Sequence, residues 1–135
     1  MDTYTQSNAN ARGRKILVID DEPVIRDMMV DILDMEGYVV EVARNGREAL
    51  EKVLPTPDNY LIFLDMMMPV MDGRAFCENL CAHPEIRKRH IIVLMSALDH
   101  LSSASSLHVD ATLPKPFVVD DALNIIQRLL QSQPI

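Results

Sequence analysis

Five short apolar runs divide the chain, and a helical spacing of apolar residues follows each of them. The runs cover residues 15–19, 38–42, 60–64, 91–95 and 109–113. Runs of this length that alternate with helices are typical of repeated strand–helix–strand units and a parallel sheet. The pattern therefore predicts an α/β fold, a doubly wound (βα)5 parallel sheet, for which we expect the common strand order 2-1-3-4-5.

Helix signals fill the gaps between the runs. Apolar residues at intervals of three and four predict a first helix that ends before Gly37. Asn45, with Glu48 three residues later, resembles a capping box that opens a second helix, and two prolines stop it. A third helix follows the Asp72-Gly73 turn. The last two predicted helices cover residues 98–107 and 118–131.

The weakest of these helices is the serine-rich segment, residues 98–107. It contains Ser102, Ser103, Ser105 and Ser106. Serine destabilises a helix interior by roughly 0.5 kcal/mol relative to alanine, so the four together cost on the order of 2 kcal/mol. We expect this segment to change its arrangement readily when the protein switches state.

Charge and composition exclude several classes of protein. The 135 residues include 20 acidic and 13 basic side chains, and the net charge of −7 argues against nucleic-acid binding. No apolar stretch is long enough to span a membrane, and the polar N-terminus lacks the apolar centre of a secretory signal. We therefore expect a cytoplasmic domain at residues 15–131, with a flexible polar tail at residues 1–14 and a C-terminal tail at residues 132–135.

The cysteines and histidines give no sign of a functional site. Cys77 and Cys81 lie four residues apart on a predicted helix, a spacing that rarely permits a disulfide, so we interpret them as reduced packing residues. The four histidines are expected in exposed loops or at helix ends, without a role in metal binding or phosphate donation: His83, His90, His100 and His108.

Polar side chains stand at the ends of four predicted strands. Asp20 and Asp21 follow the first run, Asp65 the third, Ser96 the fourth and Lys115 the fifth. Taken singly, each has an ordinary explanation, such as a helix cap, a turn cap or a solvated lysine. In the predicted strand order, however, the first and third strands are neighbours, so the three aspartates would crowd together at one edge of the sheet.

Three carboxylates this close together require a positive charge. Two carboxylates 4 Å apart repel each other by roughly 4 kcal/mol at an effective dielectric constant near 20. Hard oxygen ligands suit Mg²⁺, which leaves coordination positions for a phosphate oxygen. A phosphoryl donor beside Asp65 then suggests attack by its carboxylate to give an aspartyl phosphate. Lys115 would neutralise the phosphoryl oxygens, and Ser96 would donate a hydrogen bond to one of them.

These residues, in this order and spacing, resemble the receiver domain of two-component response regulators. The resemblance extends over nearly the whole chain, from about residue 15 to residue 130. It implies a flavodoxin-like fold in a single-domain regulator of the phosphorelay type, in which Asp65 accepts a phosphoryl group from a histidine kinase or phosphotransfer protein. The residues that carry it are Asp20-Asp21, Asp65 with the segment to Asp72-Gly73, Ser96-Ala97, and Lys115-Pro116-Phe117.

The resemblance also implies individual roles. Lys115 would bind the phosphoryl group, Ser96 would report it, and the Lys115-Pro116 bond would be cis. A downstream protein would bind the face formed by the predicted fourth helix, fifth strand and fifth helix. The implied ligands of Mg²⁺ or Mn²⁺ are three carboxylates and one backbone carbonyl: Asp20, Asp21, Asp65 and Met67.

One position departs from the family pattern. Receiver domains often have an aromatic residue three positions before the lysine, and its rotation accompanies the movement of the hydroxyl; here the residue is Thr112. Since a hydrogen bond to a charged group contributes about 1.5 to 3 kcal/mol, Ser96 alone can shift a two-state equilibrium by roughly 10 to 150-fold. Met67 and Leu98 are expected to overhang the site and to shield the acyl phosphate from water.

The residues suggest two other interpretations. A phosphohydrolase of the haloacid dehalogenase class also forms an aspartyl phosphate, but it has a second aspartate two residues after the nucleophile, where this chain has Met67. A degenerate receiver that only binds partners would lack an acidic residue, and none is missing. The sequence favours a signalling switch that catalyses only its own phosphorylation and dephosphorylation, either as a stand-alone regulator or as a piece of a longer one.

Overall fold

Five strands and five helices form the described part of the chain, residues 13–97 and 107–131 of a computed structural model. The strands are β1 Lys15–Ile19, β2 Val40–Ala43, β3 Tyr60–Asp65, β4 Ile91–Ala97 and β5 Ala111–Lys115. The helices are α1 Pro23–Met35, α2 Gly46–Val53, α3 Gly73–Cys81, α4 Pro84–Arg87 and α5 Val119–Gln131. All strand pairs are parallel and run in the order β2-β1-β3-β4-β5, which confirms the predicted fold class.

The central strands are apolar except near their ends, as expected for a sheet that is covered on both faces. Alternate residues of a strand point to opposite faces. On one face, Leu17 and Ile62 belong to a core that α2 and α3 complete, and on the other, Ile16 and Phe63 belong to a core that α1 and α5 complete. Continuous apolar runs are therefore what this fold requires of β1, β3 and β4.

The edge strands begin two residues later than the apolar runs predict. Before β2, the Tyr38 N–H donates to the Leu33 carbonyl at 3.1 Å, so Tyr38 closes the end of α1 instead of extending the strand. Before β5, the Ile92 N–H donates to the Asp110 carboxylate at 2.8 Å, so a side chain takes the place of a strand partner. Apolar residues in these two turns account for the displaced boundaries.

Polar caps begin α2, as the sequence predicts, and α3, where the sequence predicts only a turn. The Asn45 side chain accepts a hydrogen bond from the Glu48 N–H at 3.0 Å, and the Asp72 side chain accepts one from the Ala75 N–H at 2.9 Å. The capping box at α2 differs from the expected one, because the Glu48 carboxylate accepts from the Arg44 N–H at 2.8 Å and not from Asn45. Glu48 therefore fixes the residue before the cap and pairs with the Arg44 guanidinium as well.

Several predicted boundaries differ from the structure or fall outside the described residues. Pro84 opens the short helix α4, which the sequence analysis does not predict. The predicted helix at 98–107 lies outside the described residues except at Leu107, and so do the predicted tails up to residue 12 and from residue 132. Arg14 was predicted to belong to the flexible N-terminal tail. It is instead anchored to the domain, because its guanidinium donates to the Tyr60 and Arg89 carbonyls. None of the described helices is both long and apolar enough to cross a membrane.

His90 lies inside the protein, contrary to the expectation of an exposed histidine. It is 3% exposed, its Nδ1 accepts a hydrogen bond from the Tyr60 N–H at 3.0 Å, and its Nε2 has no hydrogen-bond partner in the described part of the chain. Burial, together with the charges of nearby arginines, lowers the pKa of His90 to about 4. Of the other histidines, His83 and His108 are exposed as expected, and His100 lies outside the described residues.

We expect His90 to make the folded state sensitive to acid. Its folded-state pKa of about 4 lies below the unfolded value of about 6.5, so its protonation favours the unfolded chain. The contribution of neutral His90 to the free energy of unfolding is complete above pH 6.5 and is lost as the pH falls towards 4. The loss between pH 7 and pH 5 is about 2 kcal/mol.

Urea unfolding across this pH range measures the effect of His90. In His90→Asn the amide oxygen can still accept from the Tyr60 N–H, so this variant should have the flatter pH profile. His83→Asn, at an exposed position, serves as the control and should keep the wild-type profile. Identical pH profiles for the wild type and His90→Asn would contradict the prediction.

Candidate functional site

The register of the sheet brings the predicted site residues together at the carboxyl edge. Ile19 of β1 lies opposite Leu64 of β3, so Asp20 and Asp65 are the next residues on two neighbouring strands. Lys115 lies opposite the last residue of β4 in the β4–β5 pair. In a doubly wound sheet, ligands bind at this edge, where the strand order reverses.

Three aspartates form an acidic cluster at this edge. Each of Asp20, Asp21 and Asp65 offers a carboxylate oxygen, and these oxygens lie within 4.8 Å of one another. Asp20 is fully buried and Asp65 is 6% exposed, whereas Asp21 faces solvent. Oxygen donors that are buried on one side and open to water on the other fit Mg²⁺, which keeps several of its waters when bound.

Lys115 supplies the positive charge that this cluster requires. Its Nζ donates to Asp20 Oδ2 at 3.1 Å and to Asp65 Oδ1 at 3.2 Å, so a single ammonium bridges the two buried carboxylates. Burial by itself would lower the pKa of Lys115, but the two carboxylates outweigh it and raise the pKa overall. Lys115 is therefore cationic throughout the physiological pH range.

Asp65 remains poorly compensated despite this ammonium. Burial and the charge of Asp20 raise the pKa of Asp65 to about 6, and the opposing effect of Lys115 is too small to prevent it. At neutral pH the carboxylate is ionised and is thus able to act as a nucleophile. Its ionisation lowers the free energy of unfolding, because the pKa is higher in the folded protein than in the unfolded chain.

Ser96 brings an unused hydrogen-bond donor to the same cleft. It is 3% exposed, and its Oγ has no hydrogen-bond partner among the described residues. A buried hydroxyl without a partner destabilises a protein by about 1 to 3 kcal/mol, so such groups call for an explanation. The cleft has a volume of about 460 Å³ and is lined by Asp21, Glu22, Asp65, Met66, Met67, Ser96, Ala97 and Lys115.

Two residues that the sequence analysis did not select hold the loop after β1. The Arg26 guanidinium donates to the Asp20 carbonyl at 2.8 Å, and the Glu22 N–H donates to Asp20 Oδ1 at 3.0 Å. Glu22 Oε1 also lies 3.7 Å from Lys115 Nζ. The sequence signal for Glu22 was its place directly after the aspartate pair, whereas nothing in the spacing marks Arg26.

Gly73 permits the close approach of α3 to the end of β3. A Cβ at this position would lie 2.7 Å from the Asp65 carbonyl oxygen, closer than side chains tolerate. The Gly73 N–H donates to the Met66 carbonyl at 2.9 Å, which closes the loop that follows Asp65. The Asp72-Gly73 sequence indicates a turn, but nothing in it marks Gly73 as a packing constraint on the site.

The remaining expectations have mixed outcomes. The Lys115-Pro116 peptide bond is cis, as predicted. The Met67 side chain is 64% exposed and lines the cleft, whereas Leu98 lies outside the described residues. Metal binding by the Met67 carbonyl stays a prediction. Thr112 is partly buried beside a groove that α5 also lines, where other chains of this type often have an aromatic ring.

Comparisons with known sequences give one consistent result. A family model described as the response regulator receiver domain matches residues 16–127. Response regulator MprA of Mycolicibacterium vanbaalenii is 31% identical over 118 residues, which cover 87% of this chain and 50% of that protein. The probable transcriptional regulator ycf27 of Cyanidium caldarium is 34% identical over 128 residues, with 93% and 50% covered. The chain thus spans about half the length of the curated relatives it matches.

Solved structures give the same result. The response regulator TrrA of Thermotoga maritima, in complex with Mg²⁺ and BeF, is 32% identical with a TM-score of 0.74, and the match covers 86% of this chain and 98% of that one. The chemotaxis protein CheY4 of Vibrio cholerae is 30% identical with a TM-score of 0.74, and 85% and 97% are covered.

We expect Asp65→Asn to stabilise the metal-free protein. The raised pKa of Asp65 means that its ionisation favours the unfolded chain, so the destabilisation is complete above about pH 6 and disappears as the pH falls towards 4. Removal of the charge should raise the free energy of unfolding by roughly 1 to 3 kcal/mol at pH 7.5.

Urea unfolding in the presence of a chelator measures this gain. The gain should shrink at pH 5, and Asp27→Asn, at an exposed position of α1, should give neither the gain nor its pH dependence. A loss of stability in Asp65→Asn at pH 7.5 would show that the carboxylate is well compensated.

Proposed function

The chain belongs to the response regulator receiver domain family, and on this basis we propose that Asp65 accepts a phosphoryl group from a phosphohistidine of a histidine kinase or phosphotransfer protein. Receiver domains are signalling switches and not conventional enzymes, and response regulators interact with histidine kinases and downstream targets. The observation that carries the proposal is the nearly buried Asp65 carboxylate, which shares the Lys115 ammonium with the Asp20 carboxylate and lines a cleft.

The transfer is an in-line displacement at phosphorus. An oxygen of the Asp65 carboxylate forms a new bond to phosphorus, and the bond from phosphorus to the donor nitrogen breaks, with its electron pair going to the imidazole. Lys115, already 3.2 Å from Asp65 Oδ1, offers positive charge to the oxygens of the arriving group. Catalysis in this scheme consists of positioning and charge compensation, which the chain supplies in its own phosphorylation.

A divalent metal completes the charge balance of this scheme. The receiver domain family binds Mg²⁺ at its acidic pocket, and here Asp20, Asp21 and Asp65 would hold Mg²⁺ or Mn²⁺ together with the carbonyl of Met67. When bound, the cation supplies positive charge to the phosphoryl oxygens. The chain's own carboxylates then meet less repulsion from the anionic donor.

The output passes from Ser96 to the edge of the sheet. A phosphoryl oxygen on Asp65 would offer the acceptor that the Ser96 hydroxyl lacks, and Thr112 leaves this hydroxyl without an aromatic partner in the switch. The downstream protein would bind the face of β5 and α5, together with the serine-rich segment. Met67, at the mouth of the cleft, would shield the acyl phosphate from water and prolong the active state.

Phosphorylation by a small donor tests the assignment of Asp65. Incubation with phosphoramidate and Mg²⁺ should add one phosphoryl group per chain, detected by intact-mass spectrometry. The addition should be abolished in Asp65→Asn and by a chelator, and it should persist in Asp27→Asn. Undiminished phosphorylation of Asp65→Asn would place the acceptor elsewhere.

Ser96→Ala should separate phosphorylation from switching. Since this substitution removes a buried hydroxyl that has no partner among residues 13–97 and 107–131, the unphosphorylated protein should become more stable by about 1 kcal/mol. Phosphorylation at Asp65 should continue, but its effect on the state equilibrium should fall by tenfold or more.

Urea unfolding and hydrogen exchange of β5 and α5, with and without phosphorylation, report these two effects of Ser96→Ala. Ser96→Thr keeps the hydroxyl and should retain the phosphorylation-dependent change in exchange. An undiminished change in Ser96→Ala would exclude the hydroxyl as the reporter.

A further inference from the structure

Glu22 stands at the mouth of the cleft, and we propose that its carboxylate makes this chain select nitrogen-linked phosphoryl donors over acyl phosphates. The proposal deepens the function proposed above and rests on it, since it concerns which donor reaches Asp65. The two donor classes differ in their leaving groups. An acyl phosphate releases a carboxylate, whereas a phosphoramidate or a phosphohistidine releases a nitrogen base.

The position of Glu22 is on the solvent side of the reacting groups. Its Oε1 lies 3.7 Å from Lys115 Nζ, the same nitrogen that contacts the carboxylates of Asp20 and Asp65. The Glu22 side chain is 63% exposed, compared with 8% for that of Asp65. Both residues line the same cleft, so Glu22 borders the path between Asp65 and bulk water.

The Glu22 carboxylate has no structural task in the helix that it precedes. Glu22 is the N-cap of α1, a position where the side chain commonly accepts a hydrogen bond from the first turn. Here it makes no such bond, and Pro23 at the start of the helix removes one backbone donor. The backbone is fixed instead by the Glu22 N–H, which donates to Asp20 Oδ1 at 3.0 Å. The side chain is therefore held at the mouth yet left available to a ligand.

Among the described residues that line the cleft, no other side chain duplicates this charge. Met67 and Ala97 are exposed and apolar. Asp21 is exposed and acidic, but its carboxylate belongs to the cluster that fits a metal ion, and Glu22 lies outside that cluster. With a divalent cation bound, Asp21 would be compensated. Glu22 would then remain as the negative side chain that a leaving group meets.

In-line geometry directs the leaving group towards this side chain. The new bond joins an Asp65 oxygen to phosphorus, and the bond that breaks lies on the opposite side, towards the mouth. With acetyl phosphate, the phosphorus–oxygen bond breaks and its electron pair leaves on acetate, so negative charge grows near Glu22. With phosphoramidate, whose nitrogen is already protonated, the phosphorus–nitrogen bond breaks and ammonia leaves. Its N–H groups can donate to Glu22 as they depart.

Each protein variant is tested with both donors. The ratio of the two rates is then insensitive to effects that alter both rates equally. The second-order rate constants for acetyl phosphate and phosphoramidate are measured with Mg²⁺ by intact-mass spectrometry, and their ratio is compared between variants. A change in metal affinity or in the position of Lys115 alters both rates alike. Glu36→Gln, at an exposed position beyond the far end of α1, is the matched control because it makes the same change in net charge.

In Glu22→Gln, we expect the ratio of the acetyl phosphate rate to the phosphoramidate rate to rise roughly three- to tenfold, with a larger rise in Glu22→Lys. The ratio should stay at the wild-type value in Glu36→Gln. A ratio in Glu22→Gln within twofold of the wild type, or an equal rise in Glu36→Gln, would overturn the role of Glu22 while leaving Asp65 as the acceptor. Failure of the wild type to react with either donor would instead overturn the proposed function.

Discussion

The bridge from Lys115 to two buried carboxylates is the interaction on which the site depends. Parallel pairing of β1 and β3 places Asp20 and Asp65 side by side, and neither is more than 6% exposed. Charges removed from water in this way are tolerated only when they are paired and hydrogen-bonded. Lys115 reaches them because β5 ends at the same edge, so sheet topology and charge compensation are two aspects of one constraint.

The Lys115 ammonium only partly compensates the negative charge of the cluster. A single ammonium faces three aspartates and the nearby Glu22, and the pKa of Asp65 remains raised to about 6. A fully neutralised cluster would have no use for a metal ion and would hold a less reactive carboxylate. The excess negative charge thus makes the site receptive to a divalent cation, at the expense of stability in the protein without one.

The sequence predicted those parts of the structure that are encoded by residues close together in the chain. Apolar runs located the buried strands, and polar residues at their ends located the cluster, because parallel strands share one carboxyl edge. It failed where the decisive partner leaves no pattern in the sequence. His90 follows a run of basic residues and was expected to be exposed, yet Tyr60, thirty residues earlier, supplies the donor that it needs inside. Arg26 was missed because its partner is a backbone carbonyl, which has no signature in the sequence.

The relay from the site to the surface is short for the same topological reason. Ser96 lies opposite Pro114 and the last residue of β4 lies opposite Lys115, so the hydroxyl and the ammonium that would meet a phosphoryl group stand on two hydrogen-bonded strands. A displacement of either one strains the same strand pair. With Thr112 in place of a ring, this strand pair would be the connection from the cleft to the β5 edge in the proposed switch, and Ser96 would determine how strongly a phosphoryl group acts on it.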